Sequence, residues 1–131
     1  MEQGNGDSES RSRRKLLIVD DEAKINHVLA QHFALNGYDV RTARRADEAI
    51  TAAGSFQPHV VLLDLMMPGT SGVNTLKELK QITPSSKILI LSAIDNETII
   101  KDTLRLGADF YVCKPFNFAE LDQVVDRFSS G

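Results

Sequence analysis

The sequence is short of cysteine, of long apolar runs and of excess positive charge, and each shortage closes off a class of protein. A single cysteine, Cys113, stands among 131 residues. No disulfide can therefore form within the chain. That suits a reducing compartment, the cytoplasm, with Cys113 expected as a small buried apolar residue. No apolar run approaches the roughly 20 residues that span a bilayer, so no membrane association is expected. The first 14 residues lack the apolar stretch of a secretion signal. The net charge of −3 argues against nucleic-acid binding as the main purpose of this surface. What remains is ordinary for a globular domain: 42% hydrophobic and 25% charged residues, on a length that suits one domain with a real core.

Residues 1–14 are polar, contain two glycines and are expected to form a disordered arm. The cluster Arg11, Arg13, Arg14 and Lys15 reads as a solvated tail rather than a binding site. From Lys15 onward there is no internal repeat. Short apolar runs instead alternate with amphipathic stretches. Strands are expected at 15–19 (KLLIV), 38–43 (YDVRTA), 59–63 (HVVLL), 87–91 (KILIL) and 110–113 (FYVC). Helices are expected at 22–37, 46–55, 71–82, 96–107 and 117–128. Gly37 and Gly107 stand where helices end, while Ser71 and Asn117 stand as N-caps. In the first helix the apolar stripe is read as Ile25, Val28, Leu29, Phe33 and Leu35. In the third it is Val73, Leu76, Leu79 and Ile82.

Strict alternation of five strands with five helices implies an α/β fold, a parallel sheet covered on both faces. The runs 16–19, 60–63 and 88–91 are apolar without alternation, as central strands buried on both sides require. The strand at 38–43 is more polar and belongs at an edge. Ligands of such sheets sit beyond the carboxyl ends of the strands. Those ends carry Asp20, Asp21 and Glu22 after the first strand, Asp64 after the third, Ser92 and Ala93 after the fourth, and Lys114-Pro115 after the fifth. The second offers Thr42-Ala43-Arg44, with nothing chemically distinctive.

Asp64 poses the sharpest question, because "VVLLDLMMPG" surrounds a carboxylate with residues that belong in a core, where an unpartnered charge is costly. Asp20, Asp21 and Asp64 in one crevice repel one another, and one lysine cannot neutralise three charges. A hard divalent cation can, and oxygen donors favour Mg²⁺ over zinc. Mg²⁺, the Lys114 ammonium and the Ser92 hydroxyl around Asp64 form a pocket for phosphate. Since carboxylates form acyl phosphates, Asp64 is the expected nucleophile.

These residues resemble the receiver domain of bacterial two-component response regulators over about 15–128. The motifs that carry the resemblance are Asp20-Asp21, Asp64 with "LMMPGTSG" after it, Ser92-Ala93, Gly107-Ala108-Asp109 and Lys114-Pro115-Phe116. The resemblance implies a doubly wound, five-stranded flavodoxin-like sheet in the order 2-1-3-4-5, with residues 15–131 as the receiver domain. It implies that Asp21, Asp64 and the Met66 carbonyl hold Mg²⁺, with Asp20 acting through a water. Lys114 would bridge to the phosphoryl group, and Ser92 and the Ala93 amide would contact it. Tyr111 would be the switch aromatic, turning into space vacated by the Ser92 loop. A cis Lys114–Pro115 bond is also expected. The implied donor is a phosphohistidine on a sensor histidine kinase or a histidine phosphotransfer protein. The chain would be a signalling switch, not an enzyme, with at most self-phosphorylation from donors and slow autodephosphorylation. Phe110 stands where some DNA-binding members carry an acid.

Three other readings fit less well. A receiver that acts as a phosphorylation-independent interaction module usually lacks one acid or the lysine, and all are present here. An aspartyl phosphatase needs a second acid two residues after the nucleophile, where this chain has Met66. A flavin-binding domain needs a phosphate loop after the first strand, where Asp20-Asp21-Glu22 would repel one. His27, His32 and His59 lack ligand-like spacing and read as structural, and Met66 and Met67 as loop packing. The tail Ser129-Ser130-Gly131 fits either a stand-alone receiver or one separated from an effector domain.

Overall fold

A computed structural model describes residues 13–130. Of the arm expected at 1–14, only Arg13 and Arg14 lie among the described residues. Five strands, β1 (Lys15–Val19), β2 (Asp39–Ala43), β3 (Val60–Leu63), β4 (Lys87–Ser92) and β5 (Phe110–Cys113), alternate with five helices. The helices are α1 (Ala23–Leu35), α2 (Ala46–Phe56), α3 (Gly72–Ile82), α4 (Glu97–Arg105) and α5 (Phe118–Ser129). All strand pairs are parallel and the order is β2-β1-β3-β4-β5. Strand order and class therefore agree with the sequence reading. Among the described residues no helix is long and apolar enough to cross a membrane.

The period-2 pleat divides the core in two. Leu17, Val19, Val61, Leu63, Ile88 and Ile90 face α2 and α3. Leu16, Ile18, Val60, Leu62, Leu89 and Leu91 face α1 and α5. Every residue of β3 is buried, so no alternation could show in its sequence. β2, at the edge, is the polar strand expected there. Ser71 and Asn117 cap α3 and α5 by accepting from the Asn74 and Glu120 amides. Asn96 does the same for α4 through the Ile99 amide. Gly37 and Gly107 follow their helices with φ of 94° and 119°, a region open to residues without a Cβ. The α2 terminus uses Gln57 instead, at φ 50°.

α1 turns a different flank inward from the one its apolar periodicity predicts. Val28 and Leu35 are 44% and 83% exposed. They stand seven residues apart in one row on the solvent flank of the helix. The buried stripe is Asn26, Leu29 and Phe33, so a polar residue occupies a core position. Ile82 is likewise 38% exposed at the end of α3. Met67 packs inside but Met66 is exposed, and Cys113 is only half-buried. Two histidines make structural contacts: His59 Nδ1 accepts from the Lys15 amide, and His32 Nε2 lies 2.6 Å from Asp122, joining α1 to α5.

Tyr38, just before β2, closes the amino-terminal end of the sheet against α5. Its hydroxyl donates to Asp126 and meets the Ser129 hydroxyl on α5. Burial, reinforced by the Asp126 bond, pushes its pKa up to about 12. A folded-state pKa above the unfolded one means that this contribution is complete below the ordinary tyrosine value. It is lost as pH rises through the folded value. Between about pH 10 and 12 the wild type should therefore lose about 1–2 kcal/mol relative to Tyr38→Phe, solvent screening reducing the full effect. Urea unfolding of both proteins across that window checks it; parallel curves would remove Tyr38 from the account.

Candidate functional site

Parallel pairing brings the carboxyl ends of β1, β3, β4 and β5 to one edge, and the reactive side chains meet there. The chain leaves β1 at Asp20, whose amide donates to the Ala43 carbonyl at the end of β2. It leaves β3 at Asp64, whose amide donates to Val19. One oxygen from each of Asp20, Asp21 and Asp64 lies within 4.8 Å of the others. Asp20 and Asp64 are buried and Asp21 is half-buried. Lys114, which follows β5 and precedes a cis bond to Pro115, reaches between them. Its Nζ lies 2.8 Å from Asp20 Oδ2 and 3.1 Å from Asp64 Oδ2.

Each buried carboxylate also accepts a backbone amide two residues on: Glu22 to Asp20 at 3.0 Å and Met66 to Asp64 at 2.9 Å. Burial nevertheless pushes the Asp64 pKa up, and the Met66 amide and Lys114 offset this only in part. For Lys114, burial alone would depress the pKa. The hydrogen bond to Asp20 and the charges of Asp64 and Asp20 outweigh it, so the ammonium is held above its usual range. One ammonium among three carboxylates leaves the crevice negative, and its oxygen donors suit a hard divalent cation.

On the other flank, Ser92 is fully buried at the last position of β4. Its hydroxyl accepts from the Ile94 amide at 3.2 Å, and Ala93 between them is exposed. Tyr111 donates to the Ile94 carbonyl at 2.7 Å and packs, half-buried, against the core. Ile94 is thus held on one side by Ser92 and on the other by Tyr111. Tyr111 thus lies along the loop that follows Ser92.

Two side chains at this edge escaped the sequence reading. Arg44, set aside as undistinctive, donates from Nε and Nη2 to the Asp21 carbonyl at 3.2 and 3.1 Å. Asn26 donates from Nδ2 to the carbonyls of Asp20 and Ala43. Asn26 left a signal, a carboxamide in register with Leu29 and Phe33. Arg44 left none, because its partner lies 23 residues away.

A family model described as the response regulator receiver domain matches residues 16–126. The chain is 38% identical over 109 residues to the alkaline phosphatase synthesis transcriptional regulatory protein PhoP of Bacillus subtilis, covering 83% of this chain and 45% of that one. It is 34% identical over 113 residues to the regulatory protein AtoC of Escherichia coli, covering 86% and 24%. The chain thus spans less than half the length of these two relatives. A solved response regulator from Burkholderia pseudomallei, with a phosphorylated aspartic acid, a calcium ion and citrate, superposes with a TM-score of 0.82. The two are 27% identical, with 89% of this chain and 69% of that one covered. The family match extends from β1 into α5 and takes in every strand end that contributes to the acidic crevice, so the chain belongs to the receiver domains of two-component response regulators.

Proposed function

We propose that Asp64 accepts a phosphoryl group from a phosphohistidine of a sensor histidine kinase or a histidine phosphotransfer protein, with Mg²⁺ in the crevice, and that Ser92 and Tyr111 relay the change. The observation that carries this reading is the meeting of Asp64 with Lys114 at 3.1 Å and with Asp20 and Asp21 within 4.8 Å. An Asp64 oxygen attacks phosphorus, the P–N bond to histidine breaks, and the leaving imidazole takes up a proton. Lys114 donates to the transferred group, and it is kept charged by the carboxylates around it. Asp21, Asp64 and the Met66 carbonyl would hold Mg²⁺, with Asp20 acting through a water; three carboxylates beside one ammonium fit such an ion. Bound there, Mg²⁺ supplies neutralisation of the charge that gathers on the phosphoryl oxygens.

The Ser92 hydroxyl donates to one phosphoryl oxygen, supported by the Ala93 amide. The chain thus works as a switch in the cytoplasm rather than as an enzyme with turnover on a separate substrate. Its partners are the phosphohistidine donor and, in a longer regulator of the kind its relatives are, an effector domain.

Incubation with acetyl phosphate and Mg²⁺, followed by borohydride trapping and peptide mapping, should label Asp64 alone. Asp21→Ala should lose Mg²⁺ affinity by about tenfold or more, since one direct ligand is removed. With beryllofluoride, wild-type amide shifts should spread over 95–121 and shrink in Ser92→Ala. Label on another residue, or unchanged Mg²⁺ affinity in Asp21→Ala, would sink the reading.

A further inference from the structure

Asn26 is out of place by the usual rules of burial. It is 4% exposed on the core face of α1, and its Oδ1 has no hydrogen-bond partner among the described residues. A buried acceptor left without a partner destabilises a fold, and an apolar side chain here would avoid that loss. What Asn26 does instead is donate from Nδ2 to the Asp20 carbonyl at 2.8 Å and to the Ala43 carbonyl at 3.2 Å. Both partners are acceptors, so the orientation of the carboxamide follows from chemistry. It ties the end of β1 to the end of β2 at the point where the acidic pair begins.

The next carbonyl along the chain is also gripped. Arg44 donates to the Asp21 carbonyl through two nitrogens. The Arg44 backbone is itself anchored, its amide donating to Glu48 Oε1 at 2.9 Å. Two successive carbonyls, of Asp20 and Asp21, are thus held by side chains from α1 and from the end of β2. Holding both carbonyls fixes the peptide planes on either side of Asp21. That in turn fixes the direction in which its carboxylate leaves the backbone.

We propose that Asn26 and Arg44 are positioning residues that brace the Asp20–Asp21 backbone and so set the affinity of the acidic crevice for a divalent cation. The proposal rests on the cation site described above. The sign of the Arg44 effect makes it testable. An arginine that acted only through its charge would repel a cation, and its removal would tighten binding. A brace predicts the opposite.

The experiment is a Mg²⁺ titration followed by the amide signals of Asp21 and Asp64 in the full chain, with metal-free thermal unfolding measured alongside. Wild type and Asp21→Ala report on the site itself. If wild type shows no Mg²⁺-dependent shift at these amides, the cation reading fails and the brace proposal falls with it. Given wild-type binding, Arg44→Gln should weaken it by about three- to tenfold, and Arg44→Lys, which keeps one donor, by less. Asn26→Ala should weaken it by about three- to tenfold, less than Asp21→Ala, because it removes backbone hydrogen bonds and not a ligand. Unchanged or tighter binding in Arg44→Gln overturns the role of Arg44. A lowered melting temperature with unchanged affinity in Asn26→Ala makes Asn26 merely structural and overturns its part. Should Asn26→Ala not fold, Asn26→Ser, read by the same titration, decides the matter.

Discussion

Asp64→Asn should lower phosphoryl acceptance from acetyl phosphate by at least about a thousandfold, since the carboxamide cannot serve as the nucleophile. The same pair of proteins should differ in how stability depends on pH. Burial holds the folded-state pKa of Asp64 above its ordinary value. The sign is therefore opposite to that of a well-paired carboxylate. Above the folded pKa the ionised group opposes folding; that opposition fades as pH falls through the folded pKa and is gone below the unfolded value, about 3.9. In metal-free solution the wild type should gain stability relative to Asp64→Asn on acidification across that window. Mg²⁺ at neutral pH should stabilise the wild type by about 2.7 kcal/mol at a hundred times its dissociation constant, and the variant far less. Urea midpoints at several pH values, with and without Mg²⁺, measure both effects. If the wild type instead lost stability relative to the variant as pH fell, the buried carboxylate would be well paired and this account of the crevice wrong.

Gly72→Ala should be the most crowded of the glycine-to-alanine changes among the described residues. A Cβ there would collide with the Leu65 carbonyl oxygen and stand 2.5 Å from its Cα and 2.9 Å from its carbonyl carbon. These are backbone atoms and cannot turn aside. Gly72 is the first residue of α3 and is buried, and Leu65 directly follows Asp64. Relief must therefore move the start of α3 or the segment that follows β3, and the second displaces the Asp64 carboxylate. Overpacking of this kind costs about 3 kcal/mol or more when the contact is backbone to backbone. Gly54→Ala is the control. Its new methyl would meet only Ile82 Cγ2, at an ordinary 3.7 Å, and within α2 it should stabilise by about 0.5–1 kcal/mol. Thermal unfolding of the two variants should move in opposite directions, and Gly72→Ala should also weaken Mg²⁺ binding. A Gly72→Ala protein with wild-type stability and affinity would show that the loop after β3 gives way freely.

Much of this could be read along the chain, because the information is local. Unbroken apolar runs at 16–19 and 60–63 can be satisfied only by burial on two faces, and they lie in the middle of the sheet. Ser71 and Asn117 cap their helices through bonds spanning three residues. Strict alternation with parallel pairing sends every strand's carboxyl end to one edge, so Asp20, Asp21, Asp64, Ser92 and Lys114 could be grouped before any distance was known.

What tertiary structure decided is which loops touch at that edge and which helix flank turns inward. Periodicity gives a stripe but not its exact azimuth, so it predicts Val28 and Leu35 inside, whereas the buried stripe is Asn26, Leu29 and Phe33. The bonds of Arg44 to Asp21, of Asn26 to Ala43 and of Tyr38 to Asp126 join residues 23, 17 and 88 positions apart. The closeness of Gly72 to the Leu65 backbone follows from how α3 docks under the end of β3. The residues that could carry chemistry are chosen by type and by strand end, which the sequence by itself determines. The residues that aim them are chosen by contact between segments whose separation along the chain carries no trace of their meeting, which only the packed structure decides.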